Sequence, residues 1–301
     1  MSLIRITLFT PLFIIGVANA SSTTHIVERQ DGSSLTYYLT RSSQSQSNTL
    51  LVIMQGSDCN SVSHSSSIND QFSQVFPDAD LLTVEKYGLN QDMSWNPNGD
   101  SPDCPTAYIQ KDSPTQRTAD YQQVIESLDS SYENIIVLGG SEGGLVSSMV
   151  ASQVPSVDTL VSLNAGGRFF VDDVLYNMEQ TMPPEAFSEA KNGFLGFQQA
   201  VMNAEYMDIN MSGHGFAWWK DMFTLDQTEI LGKVSADTLI LQSELDVNVS
   251  PELAERQAKQ LMGSRSNVSF VLIDGLNHSF ENQQGESEKQ TVIKQIQEWL
   301  D

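Results

Sequence analysis

The chain has 301 residues, with 38 Asp and Glu against 15 Lys and Arg, a formal net charge of −23. So acidic a protein is repelled by nucleic acid, anionic membrane surfaces and polyanionic substrates, which argues against all three as partners. Its length suits one domain, or a domain with a lid, around a sizeable core.

Residues 1–20 read as a secretory signal peptide. "MSLIR" carries one positive charge, "ITLFTPLFIIGV" is too short and too broken by Pro and Gly for a membrane span, and "ANA" offers a small-x-small cleavage site after Ala20. The expected mature protein is therefore periplasmic or secreted, without a stable membrane anchor. Two cysteines follow, Cys59 and Cys104. In an exported chain an even pair reads as one disulfide. Closing the 45-residue loop between them is worth about 4 kcal/mol in the chain-entropy treatment.

Along the chain, "THIVERQDGSSLTYYL" alternates around Asp31-Gly32 and predicts a hairpin. Continuous apolar runs stopped by turn residues predict buried strands at 49–56, 80–86, 134–140, 157–167, 234–243 and 267–275. Helices are expected near 68–75, over 115–130 (with Val124 and Leu128 on one face), at 142–152, at 251–262 and at the end of the chain. Residues 88–115, rich in Asn, Asp, Pro and Gly, read as a long surface loop. The alternation of strands and helices predicts an α/β fold, a mostly parallel, doubly wound sheet with the hairpin at one edge.

Residues 168–233 break this rhythm. They hold no convincing strand but many aromatics and methionines, among them Phe170, Trp218, Trp219, Met222 and Phe223. A helical insertion with its own small core is expected there. Placed over the carboxyl ends of parallel strands, it would also line a ligand pocket.

The chemistry centres on "IIVLGGSEGGL". Gly139-x-Ser141-x-Gly143 follows a predicted buried strand and opens a predicted helix, the setting in which a serine becomes the nucleophile of a sharp elbow. A serine needs a base. Of His25, His64, His214 and His278, only His278 follows directly on the last strand, so it is the expected base; His214, in the insertion, is the second choice for the base and otherwise a lid or pocket residue. Asp246, after the fifth buried strand, is the expected carboxylate partner of His278, and Glu244 is its neighbour and competitor. This chemistry requires no metal and no cofactor.

"GGSEGG", "QSELDVNVSPE" and "DGLNHSF", in this order, resemble the α/β-hydrolase superfamily over residues 25–300, with Ser243 and Ser250 where its acid loop has Gly and Pro. Gln55-Gly56 stands where the superfamily has a His-Gly turn, and "QGSDC" is similar to the same turn in exported bacterial hydrolases. The resemblance implies an α/β-hydrolase fold with a helical lid at 168–233. It also implies an oxyanion hole from the backbone N–H groups of Glu142 and Ser57, with Asp58 as the alternative to Ser57. The Glu142 carboxylate is expected to favour the helix N-terminus, with tuning of the site as the alternative. Gly56, Asp58, His214 and Trp218 are the expected substrate contacts. The implied activity is that of a serine hydrolase cleaving an uncharged, apolar carboxylic ester through an acyl-enzyme. Peptide or thioester hydrolysis and a non-catalytic binding protein are the alternatives.

Overall fold

The computed structural model describes residues 21–42, 46–96 and 104–301. The predicted signal peptide lies outside the described residues, as does part of the 88–115 segment. Eight strands form one sheet in the order β1-β2-β4-β3-β5-β6-β7-β8. Ser21–Glu28 (β1) and Ser34–Arg41 (β2) form the edge hairpin, with Gly32 at φ 80° in its turn. β2 also runs antiparallel to Asp80–Val84 (β4). All remaining pairs are parallel: β4 with Thr49–Met54 (β3), then Asn134–Gly140 (β5), Thr159–Leu163 (β6), Asp237–Ser243 (β7) and Val268–Ile273 (β8).

The expected strands are thus all present. β3 and β4 are buried at every position, as a central strand covered on both faces requires. One apolar cluster covers each face. Leu50, Val52, Val137, Val146 and Val150 belong to one; Leu51, Ile53, Val161, Leu239 and Ile293 belong to the other. The two sets alternate along β3, the period-two signature of a strand between two layers.

Two local expectations change. Residues 68–75 do not form a regular α-helix but a short π turn, Ser67–Gln71, followed by a 3-10 turn, Phe72–Val75. Ile68, Phe72 and Val75 still face inwards. Side chains compete for the backbone here: Asn69 Nδ2 donates to Val62 O (2.9 Å) and Ser73 Oγ to Asn69 O (2.8 Å). The second change lies in the predicted surface loop, which contains a short helix, Thr106–Lys111 (α1), built around the buried Tyr108. Helix α2, Pro114–Leu128, follows it directly.

The segment between β6 and β7 is helical, as expected: Phe170–Thr181 (α4), Pro184–Asn203 (α5), Phe216–Thr224 (α6) and Gln227–Gly232 (α7). Trp218, Trp219, Met222, Phe223 and Val201 form a third apolar cluster, which packs on Leu145 and Met149 of Glu142–Gln153 (α3). Pro251–Met262 (α8) and Lys289–Leu300 (α9) complete the helices. No helix among the described residues is long and apolar enough to cross a membrane.

Candidate active site

Ser141 sits between β5 and α3 with φ 57° and ψ −127°, in the left-handed half of conformational space that costs a non-glycine residue of order 1–3 kcal/mol. Its N–H donates to Leu163 O (2.8 Å), and its C=O accepts from Gly144 N (2.9 Å). The flanking glycines are demanded by space. A Cβ on Gly139 would lie 2.0 Å from Gly143 O, and one on Gly143 would lie 2.3 Å from Met54 O. A Cβ on Gly144 would lie 2.8 Å from Ala165 Cβ, a milder clash, whereas a Cβ on Gly140 meets nothing closer than Leu163 O at 4.0 Å.

Asp246 and His278 come together at the same edge of the sheet. His278 Nδ1 is 2.7 Å from Asp246 Oδ2. Asp246 is fully buried and accepts three further hydrogen bonds: Gln242 Nε2 to Oδ2 (3.0 Å), and the N–H groups of Asn248 (2.8 Å) and Val249 (3.1 Å) to Oδ1. A carboxylate so placed requires the imidazole proton on Nδ1, which leaves Nε2 as an acceptor. Glu244 instead accepts from Gly275 N (2.9 Å), away from the histidine.

Asn164, itself at φ 47°, joins the strand ends. Its Nδ2 donates to Ser243 Oγ (3.1 Å) and His278 O (3.0 Å), while Ser243 N donates to its Oδ1 (2.8 Å). Ser141 and His278 thus meet the same β6 terminus, Leu163-Asn164. Among the described residues no hydrogen bond joins Ser141 Oγ to His278. In free enzymes this contact is commonly long and tightens with substrate.

A cavity of about 290 Å³ opens beside Ser141. Ser57 and Glu142 also line it, and Leu145, Phe170, Trp218, Trp219 and Met222 give it apolar walls. Two of the four expected substrate contacts, His214 and Trp218, line it, their rings stacked 3.8 Å apart. Burial, against the opposing pull of Glu142, lowers the His214 imidazole to about 4, so the ring is neutral. Gly56 and Asp58 do not line this cavity but a separate one of about 190 Å³. The Asp58 carboxylate is committed within its own loop, accepting from Gln55 Nε2 and Asn60 N (2.9 Å each). Of the other histidines, His25 stacks on Tyr37 in the hairpin and His64 Nε2 contacts Gln91 O.

The Glu142 side chain departs from expectation. It is not a solvated charge at a helix end but is buried, 2.5 Å from Arg117 Nη1, and accepts from Trp218 Nε1 (2.7 Å). Burial acts to raise its pKa, but the charges of Arg117 and Lys86 outweigh burial and hold it below the usual carboxylate range. Asp112 is buried near the same two cations, and burial pushes it up to about 7. Arg117 carries a readable sequence signal, because it shares the helical face of Tyr121, Val124 and Leu128. Lys86 prolongs a buried strand, a weaker sign. The Cys59–Cys104 disulfide is present and ties the loop after β3 to the start of α1.

Helix α4 holds the acid loop from the insertion side. Asp173, Tyr176 and Asn177 lie on one face at i, i+3 and i+4. Tyr176 Oη donates to Asp246 O and Asn177 Nδ2 to Val247 O, both at 3.0 Å. Asp173 accepts from Ser250 N (2.8 Å) and Gly167 N (3.0 Å). Buried at the cavity wall, it has its pKa raised to about 7 by desolvation, despite those two N–H donors. Nothing in the sequence distinguishes it from Asp172.

The chain has the α/β-hydrolase fold. Est1E from Butyrivibrio proteoclasticus superposes at a TM-score of 0.59 and 15% identity, over 92% of this chain and 97% of that one. An esterase from Pyrococcus furiosus does so at 0.56 and 12%, over 94% of each chain. A puromycin-hydrolysing peptidase from Mycobacterium tuberculosis matches at 0.59 and 13%, over 92% of this chain and 38% of that one. No protein-family profile matches the sequence, and no curated protein is significantly similar to it.

Proposed function

We propose that the protein is an exported serine hydrolase that cleaves small, uncharged carboxylic esters. The observation that carries this reading is the strained Ser141 at an apolar cavity, with a buried Asp246 paired to a half-buried His278 on the same sheet edge. Ser141 Oγ attacks the ester carbonyl carbon and passes its proton to His278 Nε2. The N–H groups of Ser57 and Glu142 receive the oxyanion, as donors preorganised for the developing charge. Collapse expels the alcohol with the proton from His278, and water then hydrolyses the acyl-enzyme by the same route. Asp246 holds the tautomer and offsets the imidazolium charge.

A cavity of about 290 Å³ lies at the lower end of the roughly 300–1,000 Å³ seen for ligand sites, which favours short acyl or single-ring groups. Its aromatic and aliphatic walls favour apolar ones. Similarity to esterases and a peptidase supports hydrolysis on this fold, and the Cys59–Cys104 disulfide supports export. A fluorophosphonate probe tests the mechanism. The wild type is expected to be labelled at one site and to hydrolyse p-nitrophenyl esters, and Ser141→Ala to lose both. Near-wild-type turnover by Ser141→Ala rules the mechanism out.

A further inference from the structure

The loop after β3 presents four consecutive carbonyls to buried side chains. Arg117 Nη2 donates to Gln55 O, Lys86 Nζ to Gly56 O (2.5 Å), Tyr108 Oη to Ser57 O (2.8 Å), and Lys86 Nζ again to Asp58 O. The three donors come from α2, from the residues after β4 and from α1, and each is no more than 2% exposed. Burying a lysine, an arginine and a tyrosine to hold loop carbonyls is costly unless every contact is made. Glu142 supplies a direct counter-charge to Arg117, and Asp112 is buried near both cations.

The geometry of the peptide unit gives these contacts a consequence at the site. In a trans peptide the C=O and the following N–H point in opposite directions. Lys86, by holding Gly56 O, therefore turns the Ser57 N–H to the other side of the loop. Tyr108, by holding Ser57 O, does the same for the Asp58 N–H. Ser57 lines the cavity that Ser141 lines, and its N–H has no hydrogen-bond acceptor among the described residues. A hydrogen bond to the carbonyl also polarises the peptide and strengthens its N–H as a donor. Arg117 ties the start of this loop to the Glu142 side chain at the start of α3, because it holds Gln55 O with one nitrogen and the Glu142 carboxylate with another.

We infer that Lys86 is a positioning residue that aims and polarises the Ser57 N–H of the oxyanion hole from behind, while Tyr108 and Arg117 fix the flanking peptides so that Ser57 keeps that orientation, an inference that rests on the serine-hydrolase reading above. Tyr108→Phe is the mildest test, since it removes one hydroxyl. Tyr121→Phe is its control: Tyr121 Oη donates to Ile53 O (3.1 Å), a buried bond of the same kind two residues before the loop. Each variant is titrated with the fluorophosphonate, and kcat is expressed per labelled site. Affinity for an arylboronic acid, which forms a tetrahedral adduct on the serine, is measured alongside.

Tyr108→Phe is expected to lose about tenfold in kcat per site, with KM little changed and boronate affinity falling in parallel, because a loosened Ser57 backbone weakens one hydrogen bond from its N–H to the oxyanion. Lys86→Met, which frees two carbonyls, is expected to lose about 10²–10³-fold. Tyr121→Phe is expected to lower thermal stability while keeping kcat per site. If Lys86→Met does not fold, the pair of tyrosine variants decides. Equal kcat per site in Tyr108→Phe, Tyr121→Phe and the wild type overturns the inference and leaves the hydrolase reading standing. An unlabelled, inactive wild type overturns both.

Discussion

Replacing Gly139 with alanine probes the elbow where its geometry is tightest. The added Cβ would stand 2.0 Å from Gly143 O and 2.2 Å from Gly143 C, against roughly 3.4 Å for ordinary contact. These are backbone atoms, so no side chain can swing aside. The end of β5 and the first turn of α3 must separate by about 1.4 Å, and α3 carries the Glu142 N–H. A forced fit of this kind costs typically 1–3 kcal/mol of stability. Misplacing reacting groups by about 1 Å costs about 10²-fold in rate. Gly140→Ala is the matched comparison one residue away, because its Cβ finds its nearest neighbour at 4.0 Å. Thermal melts and p-nitrophenyl ester turnover per fluorophosphonate-labelled site measure both quantities. Gly139→Ala is expected to melt lower and to lose at least about 10²-fold in kcat, and Gly140→Ala to stay within about threefold of wild type. Indistinguishable behaviour of the two variants would refute the steric account of the elbow.

Asp246→Asn keeps the acid loop's N–H groups satisfied only if the amide oxygen takes the place of Oδ1, which aims the NH₂ at His278 Nδ1 and Gln242. That moves the imidazole proton to Nε2 and removes the base, so kcat is expected to fall by about 10³–10⁴ with circular dichroism unchanged; a loss under tenfold contradicts the assigned tautomer. Asp173 supplies a pH dependence. Burial raises its pKa from the ordinary 3.8 to about 7, so between about pH 4 and 7 the folded chain keeps a proton that the unfolded chain releases. Its contribution is therefore most favourable near pH 4 and is lost as pH rises through 7. Asp173→Asn puts an NH₂ against one of two backbone donors and is expected to be destabilised most at low pH, with the gap to wild type narrowing by pH 8 in urea titrations. A gap independent of pH would contradict this.

Much of the candidate site is legible in the sequence alone. Ser141 announced itself because an elbow requires small residues at fixed offsets, and that requirement is written in adjacent letters. His278 and Asp246 stood out because they follow buried strands, whose apolar runs are unmistakable. Other features had no local mark. Gly56 and Asp58 follow the same strand as Ser57, yet the turn of the loop sends them to a different cavity. Glu142 looked like a favourable charge at a helix start, and only the approach of Arg117 and Trp218 makes it a buried link.

The sequence by itself determined the order of strands and helices, the edge hairpin, the helical insertion and the residue types at the strand ends, because periodicity and turn chemistry are short-range properties. Tertiary structure alone decided that α4 grips the acid loop through Asp173, Tyr176 and Asn177, and that Arg117, Lys86 and Tyr108 hold the carbonyls of residues 55–58. The contacts of α4 with the acid loop and those of the 55–58 carbonyls join side chains to backbone groups 28 to 77 residues away. A backbone carbonyl is the same at every position, so its distant partner leaves no trace in the letters beside it.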